Sequence, residues 1–216
     1  MWVLIGLCFF SCIIIITLIT FEIIRVTCFL YPLSSEQEKF IDTKTEASFT
    51  LTTTPLRIYN IRPILESLLL QNPKNIYLNI PIIYKKTGEK YIIPDWLIKY
   101  QKEHDNIILN RVEDRGPATK LLGALEITKN NQNEYLCVLD DDKIYNKILL
   151  SNLLYRIKRT TKPTVMITRE LKFKQYSVLE GVGSFMVKRN LLNGLKDFIM
   201  PEECYKVDDP WFSAYF

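Results

Sequence analysis

Residues 134 to 139 read EYLCVL, an almost continuous apolar run closed by three consecutive aspartates, Asp140, Asp141 and Asp142. A strand that faces water on one side alternates apolar with polar residues. A run without that alternation belongs in a sheet covered on both faces. The segment therefore demands helices above and below it, and the remaining sequence supplies them in alternation with further strands. Residues 48 to 54 (SFTLTTT) are rich in β-branched side chains and stop at Pro55. Between Arg57 and Gln71, the residues Ile58, Ile61, Leu65, Leu68 and Leu69 recur at helical spacing. The same reading predicts strands at 75–80 (NIYLNI), 106–112 (NIILNRV) and 164–168 (TVMIT), and helices at 94–103, 118–128 and 146–159. Beyond Thr168 the sequence reads as a looser segment with a helical, aromatic end. The expected fold is α/β, with a mostly parallel sheet flanked by helices.

The chain has 216 residues, 48% hydrophobic and 24% charged, with only seven glycines, which excludes wholesale disorder and low-complexity architecture. Its net charge of +4 is spread along the sequence and gives no footprint for nucleic acid. The first segment stands apart. From Trp2 to Phe21 no residue is charged, a length that spans the roughly 30 Å bilayer core as a helix. A cleaved signal peptide would show a basic start, a shorter apolar run and a small-residue cleavage site, and none is present. The reading is a single-pass membrane anchor within residues 1–30, a polar stalk over 31–47 and a folded body over 48–216. Arg25, Lys39 and Lys44 follow the span while no basic residue precedes it, a bias toward a cytosolic body. A short cytosolic tail with a lumenal body would look similar, so both orientations stay open.

Chemistry concentrates where EYLCVL ends. In open α/β sheets ligands bind beyond the carboxyl ends of the strands. Three adjacent carboxylates repel one another, which favours a divalent cation that neutralises them. Alternate residues in extended chain point the same way, so Asp140 and Asp142 can reach one ion. Oxygen-only ligands suit Mg²⁺ or Mn²⁺ bridging to a diphosphate. The competing reading makes one aspartate a helix cap.

Four ordered patches turn this into a resemblance: TLTTTPLR at 50–57, NIYLNIP at 75–81, EDRGPATKLLGAL at 113–125 and YLCVLDDDKIY at 135–145. Weaker matches continue with EGVGSFMVKRNLL and CYKVDDPWFSAYF. The body resembles a GT-A glycosyltransferase of the nucleotide-sugar-dependent, family 2-like kind with an Asp-x-Asp metal motif. The resemblance implies Mn²⁺ or Mg²⁺ at Asp140 and Asp142, with Asp141 beside the donor. It implies that Thr52, Thr54 and Arg57 face the nucleotide and its phosphates, Arg57 alternatively being a solvated residue at a helix start. Asp114 and Lys120 flank the Gly116-Pro117 turn and would reach the sugar or diphosphate; for Lys120 the alternative is an ordinary surface helix lysine. Gly181 and Gly183 would allow close backbone approach to donor or acceptor, or form a plain turn. By analogy with inverting members, Asp208 or Asp209 would deprotonate an acceptor hydroxyl on a glycan, lipid or protein, Asp209 being preferred. Their alternative is capping the last helix.

The single histidine, His104, lies in the charged stretch KEHDN and is expected to be exposed, which leaves no support for a zinc site or a Ser-His triad. Cys137 reads as a buried apolar thiol, and a Cys137–Cys204 disulfide has nothing in the sequence to support it. The sequence ends seven residues after Asp209, which keeps a second expectation open: a membrane-anchored, catalytically inactive binding or scaffold protein that retained the fold.

Overall fold

The computed structural model describes residues 46–168, 170–173, 176–179 and 184–216, all within a unit spanning Lys39–Phe216. The predicted anchor and stalk, Gly181 and Gly183 lie outside the described residues. Among the described residues no helix is long and apolar enough to cross a membrane.

The chain opens with β1 (Ala47–Thr52), a 3-10 turn (Arg57–Asn60) and α1 (Arg62–Leu69). Then come β2 (Ile76–Pro81), a ribbon of β3 (Ile83–Tyr84) and β4 (Glu89–Lys90), α2 (Asp95–Glu103) and β5 (Ile107–Val112). Two short helices, α3 (Thr119–Leu122) and α4 (Ala124–Ile127), lead to β6 (Tyr135–Val138) and α5 (Leu149–Lys158). The remainder comprises β7 (Val165–Ile167), a ribbon of β8 (Glu170–Phe173) and β9 (Tyr176–Leu179), β10 (Phe185–Lys188), two 3-10 turns and α6 (Asp209–Tyr215).

Six strands form the main sheet in the order β5-β2-β1-β6-β10-β7. The pairings β5–β2, β2–β1 and β1–β6 are parallel, and β10 runs antiparallel between β6 and β7. The sheet is mostly parallel, as expected, and has the α/β arrangement of a GT-A-like domain. Beyond Thr168 the expectation of a loose segment is corrected: FMVK is β10 and sits inside the sheet.

Burial follows the strand period of two. Cys137 and Leu139 join Phe49, Leu51, Ile76, Leu78 and Met186 beneath α1, α2 and α5. Leu136 and Val138 face the other way, with Tyr77, Phe185 and Val187, against α3, α4 and the Trp211 and Phe212 rings of α6. Both faces of β6 are thus covered, which is why EYLCVL carries no alternation. Cys137 is buried and, like Cys204, a free thiol.

Two expected helices are interrupted, each for a local reason. Over 57–71 a 3-10 turn gives way to α1, with Pro63 in its first turn, where a missing N–H costs nothing. Over 118–128 the break falls at Gly123. The Asn79 amide occupies the place where a side chain at Gly123 would stand, since a Cβ there would lie 2.6 Å from Asn79 Cγ. Asn110 Nδ2 also donates to the Gly123 carbonyl at 2.8 Å. Asn79 is fully buried, and its Nδ2 donates to Thr50 Oγ1 (2.9 Å), the Leu51 carbonyl (3.2 Å) and the Lys120 carbonyl (3.1 Å). The Thr50 hydroxyl donates to the same Lys120 carbonyl. A polar strip on β1, β2 and β5 therefore seats α3 at one height. His104 also departs from expectation: it is half-buried, its ring 4.4 Å from that of Tyr100.

Replacing Gly123 with alanine should destabilise the domain by about 1–3 kcal/mol, because the Asn79 side chain has nowhere to go. Gly194→Ala, whose Cβ would meet nothing nearer than 3.5 Å, should stay within about 0.5 kcal/mol in the same urea titration.

Candidate active site

The chain passes from β1 to β2 and β5 on one side, then returns to β6 on the other side of β1. The carboxyl ends of β1 and β6 therefore diverge at a topological switch point, where an open α/β sheet forms its crevice. A cleft of about 880 Å³ opens there. Thr52, Thr54 and Arg57 enter it from the end of β1, Asp114 and Lys120 from the turn after β5, and Asp140, Asp141 and Asp142 from the end of β6. Eight predicted site residues from three separate segments thus share one cavity. A neighbouring hollow of about 930 Å³ between β5 and residues 195–202 collects none of them.

Two ion pairs tie the segments together. Arg57 Nη1 lies 2.7 Å from Asp141 Oδ1, and its Nη2 lies 3.8 Å from Asp142 Oδ2. The hydrogen bond and charge of Asp141 raise the Arg57 pKa above its ordinary value. Arg57 is therefore more than a solvated residue at a helix start. Asp141 is buried, and its Oδ2 has no hydrogen-bond partner.

Lys120 is the larger surprise. It is 4% exposed, which overturns the surface-lysine reading. Its Nζ lies 3.1 Å from Asp140 Oδ1 and 3.2 Å from Asp208 Oδ2. Burial depresses the ammonium's pKa, but the charges of Asp208 and Asp140 outweigh it and hold the group above the usual lysine range. Burial pushes the Asp208 carboxyl up despite the opposing pull of Lys120. Asp208 occupies the N-cap position of α6, yet its side chain makes no cap hydrogen bond. It points at Lys120 instead. Asp209, the first residue of α6, is half-buried.

The turn between β5 and α3 is built to hold this lysine. Gly116 has φ +61°, and a Cβ there would stand 2.4 Å from the Tyr205 carbonyl oxygen, so only glycine lets residues 202–205 close on the turn. Asp114 is committed to backbone: its Oδ1 accepts from the Gly116 N–H and its Oδ2 from the Lys85 N–H, both at 2.8 Å. It shapes the rim of the cleft by pinning the β3–β4 ribbon to the turn.

Residues that the sequence reading passed over line the wall or brace it from behind. The Tyr145 hydroxyl donates to the Asp140 carbonyl and accepts from the Asp140 N–H, both at 3.0 Å, and burial raises its pKa. Tyr91 donates to the Thr53 carbonyl at 2.8 Å, while the buried Thr53 hydroxyl has no partner. Lys85, Lys86 and Lys206 also line the cavity. Tyr145 and Lys206 lay within matched patches; Lys85 and Lys86 carried no pattern that distinguished them from surface charge.

The wall thus carries four carboxylates (Asp114, Asp140, Asp141, Asp142) and five basic side chains (Arg57, Lys85, Lys86, Lys120, Lys206). Among the described residues no three metal-ligating side chains converge on one point. Mg²⁺ and Mn²⁺ suit such a site, since they bind through one or two carboxylates and take their other ligands from phosphate and water. The half-satisfied Asp141 and the cleft-facing Asp140 and Asp142 fit that donor set.

Lys120→Met should cost about 3–5 kcal/mol at neutral pH, because Asp208 and Asp140 are left facing each other without a counter-charge. Asp208 binds its proton more tightly folded than unfolded, so its contribution strengthens as pH falls toward its ordinary value and weakens as pH rises. The deficit of Lys120→Met should accordingly shrink on acidification through the carboxylate range, in paired denaturation curves of both proteins. At the alkaline end, the Lys120 contribution in the native protein is full at neutral pH and is lost as pH rises above the ordinary lysine range.

The sequence matches the family model described as Glycosyl transferase family 2 over residues 57–199. Among solved structures, the chain is similar to a mannosyltransferase from Pyrobaculum calidifontis in complex with GDP-mannose and Mn²⁺. That similarity has TM-score 0.49 and 12% identity, covering 74% of this chain and 52% of the other. It is also similar to a 4-diphosphocytidyl-2C-methyl-D-erythritol synthase, with TM-score 0.45 and 10% identity over 74% of this chain and 82% of the other. The chain spans about half the length of the mannosyltransferase. No curated protein matches the sequence. The family model covers well over half of the chain, from the turn after β1 through β10, and the protein belongs to glycosyl transferase family 2.

Proposed function

We propose that this protein is a membrane-anchored glycosyltransferase that moves a sugar from a nucleotide-sugar donor to an acceptor hydroxyl. The observation that carries the reading is the cleft at the switch point, where carboxylates and basic side chains of a family 2 chain face one another. A diphosphate requires cationic partners, and a divalent cation beside it requires anionic ones; a wall with only one sign would serve only half of that pair.

The residues divide the work as follows. Thr52 and Thr54, at the end of β1, border the nucleotide. Asp140 and Asp142 hold Mn²⁺ or Mg²⁺, which when bound offsets the charge of the departing nucleoside diphosphate. Asp141 lies beside the donor, and Arg57 serves as a partner of the phosphates. Lys120 fixes Asp140 and the start of α6, and Asp114 sets the shape of the rim. Gly181 and Gly183, having no side chain, would let backbone come close to donor or acceptor. Asp209 takes the proton from the acceptor hydroxyl as its oxygen bonds to the anomeric carbon, and the bond from that carbon to the diphosphate oxygen breaks with inversion. Asp208, buried against Lys120, is the partner that keeps the neighbouring base in place. The acceptor is a hydroxyl on a glycan, lipid or protein. Residues 2–21 anchor the chain in the membrane and 31–47 link it to the catalytic body, with the charge bias favouring the cytosolic side.

Thermal unfolding of the full-length chain tests the donor site. With Mn²⁺ and the matching nucleoside diphosphate at 100-fold over its dissociation constant, stability should rise by about 2.7 kcal/mol. Neither component alone should achieve this, and Asp142→Ala should abolish it. A folded protein that shifts with no nucleoside diphosphate, with either metal, would instead favour a scaffold that retained only the fold.

A further inference from the structure

Every aspartate of the triplet already has a protein cation upon it. Asp140 shares Lys120 with Asp208, while Asp141 and Asp142 share the Arg57 guanidinium. A divalent ion entering this end of the cleft must therefore compete with a resident positive charge. The two cations differ in how firmly they are held. The Lys120 side chain is 5% exposed and sits between two carboxylates that fix it from opposite elements. The Arg57 side chain is 51% exposed and stands at the start of a single 3-10 turn. Its main partner, Asp141, is buried and has a second carboxylate oxygen without a hydrogen bond, so the acidic end keeps unused capacity for a cation.

We propose that Arg57 is a displaceable counter-ion: without ligand it neutralises Asp141 and Asp142 and suppresses binding of a bare divalent cation, and it moves to the diphosphate when the donor enters. The proposal rests on the nucleotide-sugar reading above. The chemistry of the exchange is favourable, because a guanidinium presents the same fork of donors to a phosphate as to a carboxylate. The diphosphate thus does two things for the metal: it supplies ligands, and it removes the competing charge. Linkage makes the effect reciprocal, so metal binding also frees Arg57 for the phosphates. Lys120, locked in its buried triad, takes no part in the exchange.

The test is Mn²⁺ binding to the full-length chain, read from the loss of the free-ion electron paramagnetic resonance signal. Wild type, Arg57→Gln and Arg57→Ala are titrated with Mn²⁺ alone and then with Mn²⁺ in the presence of UDP, GDP and CDP in turn. Both variants should bind Mn²⁺ alone about tenfold more tightly than wild type, the effect of removing one competing ion pair. They should also show a smaller gain on adding the nucleotide. Unchanged or weaker affinity for Mn²⁺ alone in both variants, while wild type takes up Mn²⁺ with a nucleotide, overturns the counter-ion role and leaves the donor site standing. If no nucleoside diphosphate brings Mn²⁺ to the wild-type chain, the donor reading itself fails and this proposal with it. The Arg57 side chain belongs to neither apolar cluster, so neither variant removes core packing.

Discussion

A buried ammonium holds this domain's working end together. Lys120 lies in a helix of four residues, far too short to be stable alone, and that helix is seated by Thr50 and Asn79 through the Lys120 carbonyl. From that seat the side chain reaches Asp140 beyond β6 and Asp208 before α6. Removing a lysine from water is costly, and the cost is recovered only while both carboxylates are in place. The triad is therefore close to all-or-none. It joins the end of the central strand, the turn after β5 and the C-terminal helix, adding a polar tie to the apolar cluster in which Leu121, Val138 and Phe212 already meet.

The rest of the cleft follows from where the sheet reverses direction. Because β2 and β6 lie on opposite sides of β1, the loops after β1 and β6 separate and leave a crevice between them. The Arg57–Asp141 pair bridges that crevice across its mouth, and the β3–β4 ribbon, held by the Asp114 carboxylate, forms the facing rim. Both charges needed for a metal–diphosphate pair are thus present, and in the ligand-free protein they satisfy each other. Internal pairing of this kind keeps a polar cavity stable, and the proposed exchange would replace these ion pairs with ligand contacts.

Much of this was legible in the sequence. The unbroken apolar run before the aspartates implied a strand covered on both faces, and the period-two division between Cys137, Leu139 and Leu136, Val138 bears that out. Three of the four motif patches held the eight residues that share one cleft. What the sequence could not express was pairing. Nothing in GPATK says whether its lysine turns to water or inward, because that depends on the polar strip beneath it, contributed by residues 50, 79 and 110. The same holds for Asp208, whose partner lies 88 positions earlier. The break at Gly123 was equally hidden, since a lone glycine in a helical pattern is silent until its neighbour is known. β10 escaped because a short strand inserted antiparallel near the end of a parallel sheet leaves no βαβ rhythm to detect.

The central claim is that the charged cleft at the switch point turns over a nucleotide sugar. The most direct measurement is release of nucleoside diphosphate from a panel of nucleotide sugars by the full-length chain, with Mn²⁺ and with the metal chelated. The account predicts metal-dependent release from at least one donor, lost in Asp142→Asn while the folded state is retained. A correctly folded protein that releases nucleoside diphosphate from none of them, or does so equally well after chelation and in Asp142→Asn, would contradict it.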